Sequence, residues 1–416
     1  MIRFCFAILL FARMASAQHM TLEQIEAVAL ANNPEIRSAQ SRTTVAEARL
    51  SGAAAIDDPQ FGYRAWSTPL LQPWNLNQTQ HMFMFTQNIP AKGKRELKYL
   101  IASDDVDIQT LLVEAKKREV VAMVRQAFYG LLRSYGQIRI HHDQVALAEQ
   151  TIKATRIQYS VGKVPQKDVL QAGVTYSRLA EHLIMYEREA DSARAELNTL
   201  MGRPPDQPLD VEGEYGIVEK LPTQEELQTL ASRNRPELLA LEAIQKQGGH
   251  KVQLAQKGMS PDYSISTGYI LMPSGAMNRN GWLAEFSMTL PWLNRAKHDS
   301  EVQQAQDETA SLQAEYQEQR AAIWKEIRDA SIRAESARKV IALYQDTLRP
   351  ETQNVSKAAT IAYQTNQADL LSVLDAQNMS IEAEYALFDA LSEYEKSIAD
   401  LERAIGSPLP GERSRL

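Results

Sequence analysis

The sequence predicts a mainly α-helical protein with a small β part, in which long coiled-coil helices and two β-hairpins are internally duplicated. Three observations carry this. Apolar residues step by three and four along stretches far longer than a globular helix usually runs. Near residues 60–90 and 262–292 the period falls to two, as in a half-buried strand. Segments of the first half also come back in the second at a nearly constant offset.

The chain opens with MIRFCFAILLFARMASAQ. Arg3, the apolar stretch from Phe4 to Phe11 and the small-residue site Ala15-Ser16-Ala17 read as a secretory signal over 1–17, with Gln18 as the mature start. The only cysteine, Cys5, lies inside that signal, so neither a disulfide nor a lipid-modified mature N-terminus is expected. The first repeat spans 18–220. Thr21 caps a short helix, Pro34 starts a second that runs to about Ile56, and Asp57-Asp58-Pro59 breaks it. A hairpin follows at about 60–90, then a long helix at about 94–159 and a return helix at about 166–201. The long helix carries a seam through Val121, Val124, Phe128, Leu131, Tyr135, Ile138, His142, Val145, Glu149 and Ile152.

The second repeat spans 221–408, with a hairpin at about 262–292, a long helix at about 297–358 and a return helix at about 367–404; residues 409–416 form a tail. TLEQIEAVALANNPEI at 21–36 returns as TQEELQTLASRNRPEL at 223–238, an offset of 223 − 21 = 202. YSVGKVPQKDVLQA at 159–172 returns as YQTNQADLLSVLDA at 363–376, and LNTLMGRP at 197–204 as LERAIGSP at 401–408, both offset by 204. In the second hairpin Tyr263, Ile265, Thr267, Tyr269 and Leu271 alternate onto one side, as do Trp282, Ala284, Phe286, Met288 and Leu290. The second long helix is expected to run unbroken, its seam passing Ile323, Ile327, Ala330, Ala334, Ala337, Ile341, Tyr344 and Leu348. At about 1.5 Å per residue, a helix of about sixty-five residues reaches about 95 Å. Each return helix covers about half of that, leaving the rest to the helices that start at Pro34 and Pro236.

No stretch approaches the roughly eighteen consecutive apolar residues of a helical span, so membrane insertion would have to be by strands. Four strands cannot close a barrel, and an open sheet leaves its edges unpaired in lipid. Three chains donating two hairpins each would complete one twelve-stranded wall and a ring of twelve helices. The open alternative is a soluble periplasmic coiled-coil scaffold or adaptor with a small β cap.

NNPEI near the mature start, the hairpin ending in QNIPAKGKREL, the Tyr-x-x-Gly-(x)5-Asp-Val-Leu-x-Ala turn and the Leu-Asn-x-Leu-x-Gly close resemble TolC-type outer-membrane efflux factors. The resemblance covers essentially the whole mature chain. It implies a homotrimer whose 12-stranded β-barrel sits in outer-membrane lipid and continues into a 12-helix α-barrel in the periplasm. It also implies docking to a periplasmic adaptor (membrane fusion protein) fed by an inner-membrane efflux transporter. On that resemblance the turns at Ser160–Lys167 and Gln364–Ala368 become the periplasmic tips. The aperture residues are then Asp375, Ser372, which stands where the pattern has its first acid, Asp369, the candidate substitute, and Asp168 in the first-repeat turn. Tyr159, Gly162, Tyr363 and Asn366 become adaptor-contact residues, Gly162 and Asn366 also suiting left-handed turns. The plainer reading of these acids as helix N-terminal residues stays open. The run from Pro90 to Lys94 is reminiscent of the heavy-metal or cation branch, with drug and protein export open beside it.

Without Arg3 and Arg13 the formal charge goes from −7 to −9, which disfavours a nucleic-acid partner. His141-His142-Asp143 point in different directions around a helix and do not converge on a metal. With no nucleophile motif, phosphate loop or cysteine cluster, neither catalysis nor a cofactor is expected.

Overall fold

The structure is a computed structural model that describes residues 18–66, 79–218, 220–273, 280–365, 367–411 and 413–415. The signal at 1–17, the hairpin loops at 67–78 and 274–279, and Asn366 lie outside the described residues. In chain order the elements are β1 (Gln18–Met20), α1 (Leu22–Asn32), α2 (Pro34–Ala53), β2 (Gln60–Trp66), β3 (Gln80–Ile89), α3 (Lys94–Ser160) and α4 (Gln166–Leu200). Then come β4 (Leu209–Val211), β5 (Gly216–Val218), α5 (Gln224–Asn234), α6 (Pro236–Gln256), β6 (Tyr263–Leu271), β7 (Gly281–Met288), α7 (Arg295–Leu343), α8 (Arg349–Gln364), α9 (Leu370–Ile405) and β8 (Arg413–Arg415). No described helix is long and apolar enough to cross a membrane. Contacts divide the chain into two compact units, Met1–Arg37 with Ala115–Arg235 and Ala322–Leu416, and Ser38–Glu114 with Pro236–Ala321.

The second unit holds an antiparallel sheet of order β2-β3-β6-β7. Its register pairs Tyr63 with Phe83, Phe83 with Tyr269, and Tyr269 with Trp282. Because partners across a ladder share a face, the two alternating apolar sets become one continuous aromatic surface. Trp282 (81 % exposed), Phe286 (64 %) and Phe61 (60 %) stand uncovered on it. The opposite face is mixed, with Gln60, Arg64, Thr86, Ser266 and Glu285 beside Trp66, Met82 and Met84. At the strand ends Asp262 binds the start of α3. Its Oδ1 accepts from the Ala91 N–H (2.7 Å) and from Lys94 Nζ (2.9 Å), and its own N–H donates to Thr289 Oγ1 (2.8 Å). The second hairpin is shorter than the sequence predicts: β7 ends at Met288, and Pro291–Asn294 forms a 3-10 turn, since proline has no N–H for the ladder.

In the first unit, α1 and α5 start at Thr21 and Thr223, where Gln24 and Glu226 side chains accept from the cap N–H groups (3.1 and 2.8 Å). The return helices α4 and α9 close at Gly202 and Gly406, with φ 69 and 72. Asn33 Nδ2 donates to the Leu200 carbonyl (2.9 Å), and Arg235 Nη1 to the Ala404 carbonyl (3.0 Å). These positions repeat at offsets of 235 − 33 = 202 and 404 − 200 = 204.

Three expectations need correction here. The α3 seam holds through Val124, Phe128 and Leu131, all at most 1 % exposed, but then Ser134, Gln137 and His141 are buried in place of Tyr135, Ile138 and His142. A 3.6-residue turn drifts against a 3.5-residue pattern, and α9 supplies polar partners for the displaced stripe: Gln137 Nε2 donates to Asp389 Oδ1 at 3.0 Å. The second long helix is interrupted by a π-helical turn over Tyr344–Leu348, where the Arg349 N–H donates to the Tyr344 carbonyl. Pro350 follows at once, and widening the turn accommodates its ring and missing donor. Two small ribbons, β1 parallel to β4 and β5 antiparallel to β8, lie partly in segments that read as turn and tail.

Candidate functional site: the two interhelical turns

The turn after α3 is fixed by its glycine. Gly162 has φ 73, with its N–H on the Tyr159 carbonyl (2.9 Å) and the Lys163 N–H on the Gln158 carbonyl (2.9 Å), the paired bonds of a Schellman stop. Pro165 then stands at the N-cap of α4, and the Asp168 N–H donates to the Pro165 carbonyl (3.1 Å). Val161 is 63 % exposed, Leu170 62 % and Tyr159 47 %, so the turn presents apolar surface outward.

The second turn repeats the stop 204 residues on. The Gln367 N–H donates to the Ala362 carbonyl at 2.8 Å, matching Lys163 to Gln158; Asn366, between them, is outside the described residues. Asp369 is the N-cap of α9, its Oδ1 accepting from the Ser372 N–H (2.9 Å) and hydroxyl (2.5 Å). The Ser372 hydroxyl first, and its N–H next, hold the Asp369 carboxyl below the ordinary carboxylate range. The role its hydrogen bonds express is therefore capping, with Ser372 its partner. Asp375 is exposed on α9 and Asp168 half-buried on α4.

The two turns meet. Ala172, Leu370 and Leu374 form a buried cluster against which Ile152 and Tyr363 pack. Within it the Tyr363 hydroxyl donates to Gln158 Oε1 at 3.1 Å, joining the end of α8 to the end of α3. Burial, and then the Asp168 charge, raise Tyr363 above its ordinary value, which keeps it a donor. Gln158, Ala172, Leu370 and Leu374 escape sequence reasoning, although the i, i+4 spacing of the two leucines is the signal that could have found the cluster. Among the described residues no group of three or more His, Cys, Asp or Glu could hold a metal.

The sequence pattern of the outer membrane efflux protein family matches residues 27–203 and 227–407. The chain belongs to that family. It is an outer-membrane efflux channel protein, which sets aside the soluble scaffold. Cobalt-zinc-cadmium resistance protein CzcC of Cupriavidus metallidurans is 21 % identical over 395 residues, covering 94 % of this chain and 91 % of that protein. The solved outer-membrane channel OprN superposes with a TM-score of 0.78 at 18 % identity, covering 93 % of this chain and 90 % of that one. The Campylobacter jejuni CmeC outer membrane channel gives 0.79 at 17 %, covering 93 % and 86 %. The fold of this efflux protein is thus that of known outer-membrane channels.

Proposed function

We propose that this efflux protein is the passive outer-membrane duct of a tripartite export system, working as a homotrimer whose three sheets complete one 12-stranded barrel continuous with a 12-helix α-barrel. The observation that carries the assembly is the sheet itself. It has one aromatic face, an opposite face of mixed polarity, and β2 and β7 as outer strands with no neighbour among the described residues. Unpaired edge groups in hydrocarbon cost several kcal/mol each, and copies of the same chain are the partners that match. Gel electrophoresis of outer-membrane fractions without boiling tests this: a heat-sensitive trimer supports it, and a detergent-independent soluble monomer overturns it.

The interhelical turns form the periplasmic end on this reading. The exposed Tyr159, with Gly162, Tyr363 and Asn366, is assigned to contact with a periplasmic adaptor fed by an inner-membrane transporter. Asp375, exposed near the start of α9, is the aperture acid, with Asp369, Ser372 and Asp168 beside it at the gate, where Asp369 also caps α9 through Ser372. Replacing Asp375 with Ala should raise single-channel conductance and weaken cation selectivity; unchanged values remove the aperture role. The likeness to CzcC over 94 % of the chain supports metal cations as cargo. Deletion should then sensitise the host to cobalt, zinc or cadmium more than to lipophilic drugs, and the opposite ranking overturns the cargo assignment. Export by a signal cleaved before Gln18, without lipidation, predicts a mature mass starting at that residue. The matched segments, offset by 227 − 27 = 200 and 407 − 203 = 204, support a tandem duplication as the origin of the chain.

A further inference from the structure

The His141 ring on α3 is 1 % exposed and lies between two tyrosines. Tyr186 of α4 stacks on it with centroids 4.9 Å apart, and Tyr385 of α9 with centroids 4.8 Å apart, both at 29°. His182, one turn before Tyr186 on α4, lies 5.7 Å away. Three helices drawn from both repeats thus meet on one imidazole. Neither of its ring nitrogens has a hydrogen-bond partner, and neither does the Tyr385 hydroxyl. A neutral imidazole tolerates this because its faces do the packing. An imidazolium would hold two N–H donors and a charge in a seam with nothing to receive them.

The neighbouring groups are already engaged or point elsewhere. On α3, His142 and Asp143 are exposed. On α4, His182 adds repulsion and Glu189 is bound by Arg133 (2.9 Å). On α9, Asp389 accepts from Gln137 (3.0 Å) and faces Arg133 (3.6 Å), while Glu384 is bound by Gln353 of α8 (3.2 Å) with Arg349 nearby (3.7 Å). The tyrosine faces attract an imidazolium, but weakly against the hydration that a buried cation gives up. Burial first, and His182 second, push His141 down to about 4.

We propose that the His141 sandwich is an acid-operated latch in the helical wall: neutral, it clamps α3, α4 and α9 together; protonated, it has to leave the seam and loosens them. A depressed histidine favours the closed form at high pH and loses that contribution as pH falls. The loss begins near the ordinary value of 6.5 and is complete near 4, with no further change below. Across that window the closed-to-open ratio should drop by about two orders of magnitude per chain. A duct facing the periplasm would thereby relax in acid medium.

The test uses purified full-length protein in detergent, with thermal melting midpoints followed from pH 7.5 to 4. His141→Phe keeps the aromatic stack and removes the proton. The unsubstituted chain should lose stability between pH 6.5 and 4 more steeply than the variant; equal slopes overturn the latch. Should the variant fail to assemble, histidine C2 hydrogen exchange of the unsubstituted chain, read by mass spectrometry, decides the matter. A His141 midpoint below pH 5 supports the latch, and one at pH 6 or above overturns it.

Discussion

The two joints where a return helix ends against the helix pair before it can be set side by side. In both, a glycine in left-handed geometry closes the helix, and the carbonyl two residues before it accepts a hydrogen bond from a buried side chain. In the first joint that donor is Asn33, whose Oδ1 also accepts from the N–H groups of Glu35 (2.8 Å) and Ile36 (3.3 Å) and so caps α2. In the second it is Arg235, which also pairs with Glu326 (2.6 Å), itself paired with Arg403. One backbone requirement has been met once with a neutral cap and once with a charged network. The geometry constrains the acceptor; it leaves the chemistry of the donor free.

Breaking the charged joint should have the largest effect. Arg235→Met removes a donor whose side chain is 4 % exposed and leaves both the Ala404 carbonyl and part of the Glu326 charge uncompensated. That should cost about 3 kcal/mol, read as a lower denaturation midpoint of the full chain. Asn33→Ala, which loses a cap and one bond to a buried carbonyl, should cost about 2 kcal/mol. Equal costs would mean that the charged network adds nothing beyond the carbonyl contact.

Three glycines share a left-handed φ but not their surroundings. A methyl on Gly406 would meet the Asn234 carbonyl oxygen at 2.5 Å, and one on Gly202 the Asn32 oxygen at 2.7 Å, whereas Gly162 has nothing within 4 Å. Gly162→Ala therefore isolates the backbone cost, about 1 kcal/mol. Gly202→Ala and Gly406→Ala should each cost about twice that, because a backbone oxygen cannot move aside as a side chain can. If all three cost the same in thermal melts, the close approach is relaxed elsewhere in the joint.

These comparisons also mark where the sequence was legible. Pro34 and Pro236, the Asn-x-Pro-Glu spacing, both hairpins and the order of the long and return helices could be read because each rests on local chemistry or on a period. Arg235 could not be read as a carbonyl donor, since its partner lies 169 residues away and Asn33 does the same work with a different side chain. The seam slipped after Leu131 for a related reason. Apolar periodicity selects Tyr135, Ile138 and His142, while the buried Gln137 is matched by Asp389, 252 residues on. At the turns, Gly162 was legible as a turn residue, but the capping of α9 by Asp369 was not, because Asp369 and Asp375 are both exposed acids within one helical start.

The smallest expected effect on stability is at the tip, where the comparison between repeats becomes one between their turns. Tyr363 donates to Gln158, but its repeat partner Tyr159 is 47 % exposed. Removing one hydroxyl by Tyr363→Phe forfeits a single partly buried bond, about 1 kcal/mol, and keeps the ring packed on Leu370 and Leu374. Tyr159→Phe should change stability by less than half of that. If the Tyr363 bond joins the turns in the resting channel, the first variant should raise the open probability in planar bilayers and the second should not. Identical traces from both would leave the apolar cluster alone as what holds the turns together.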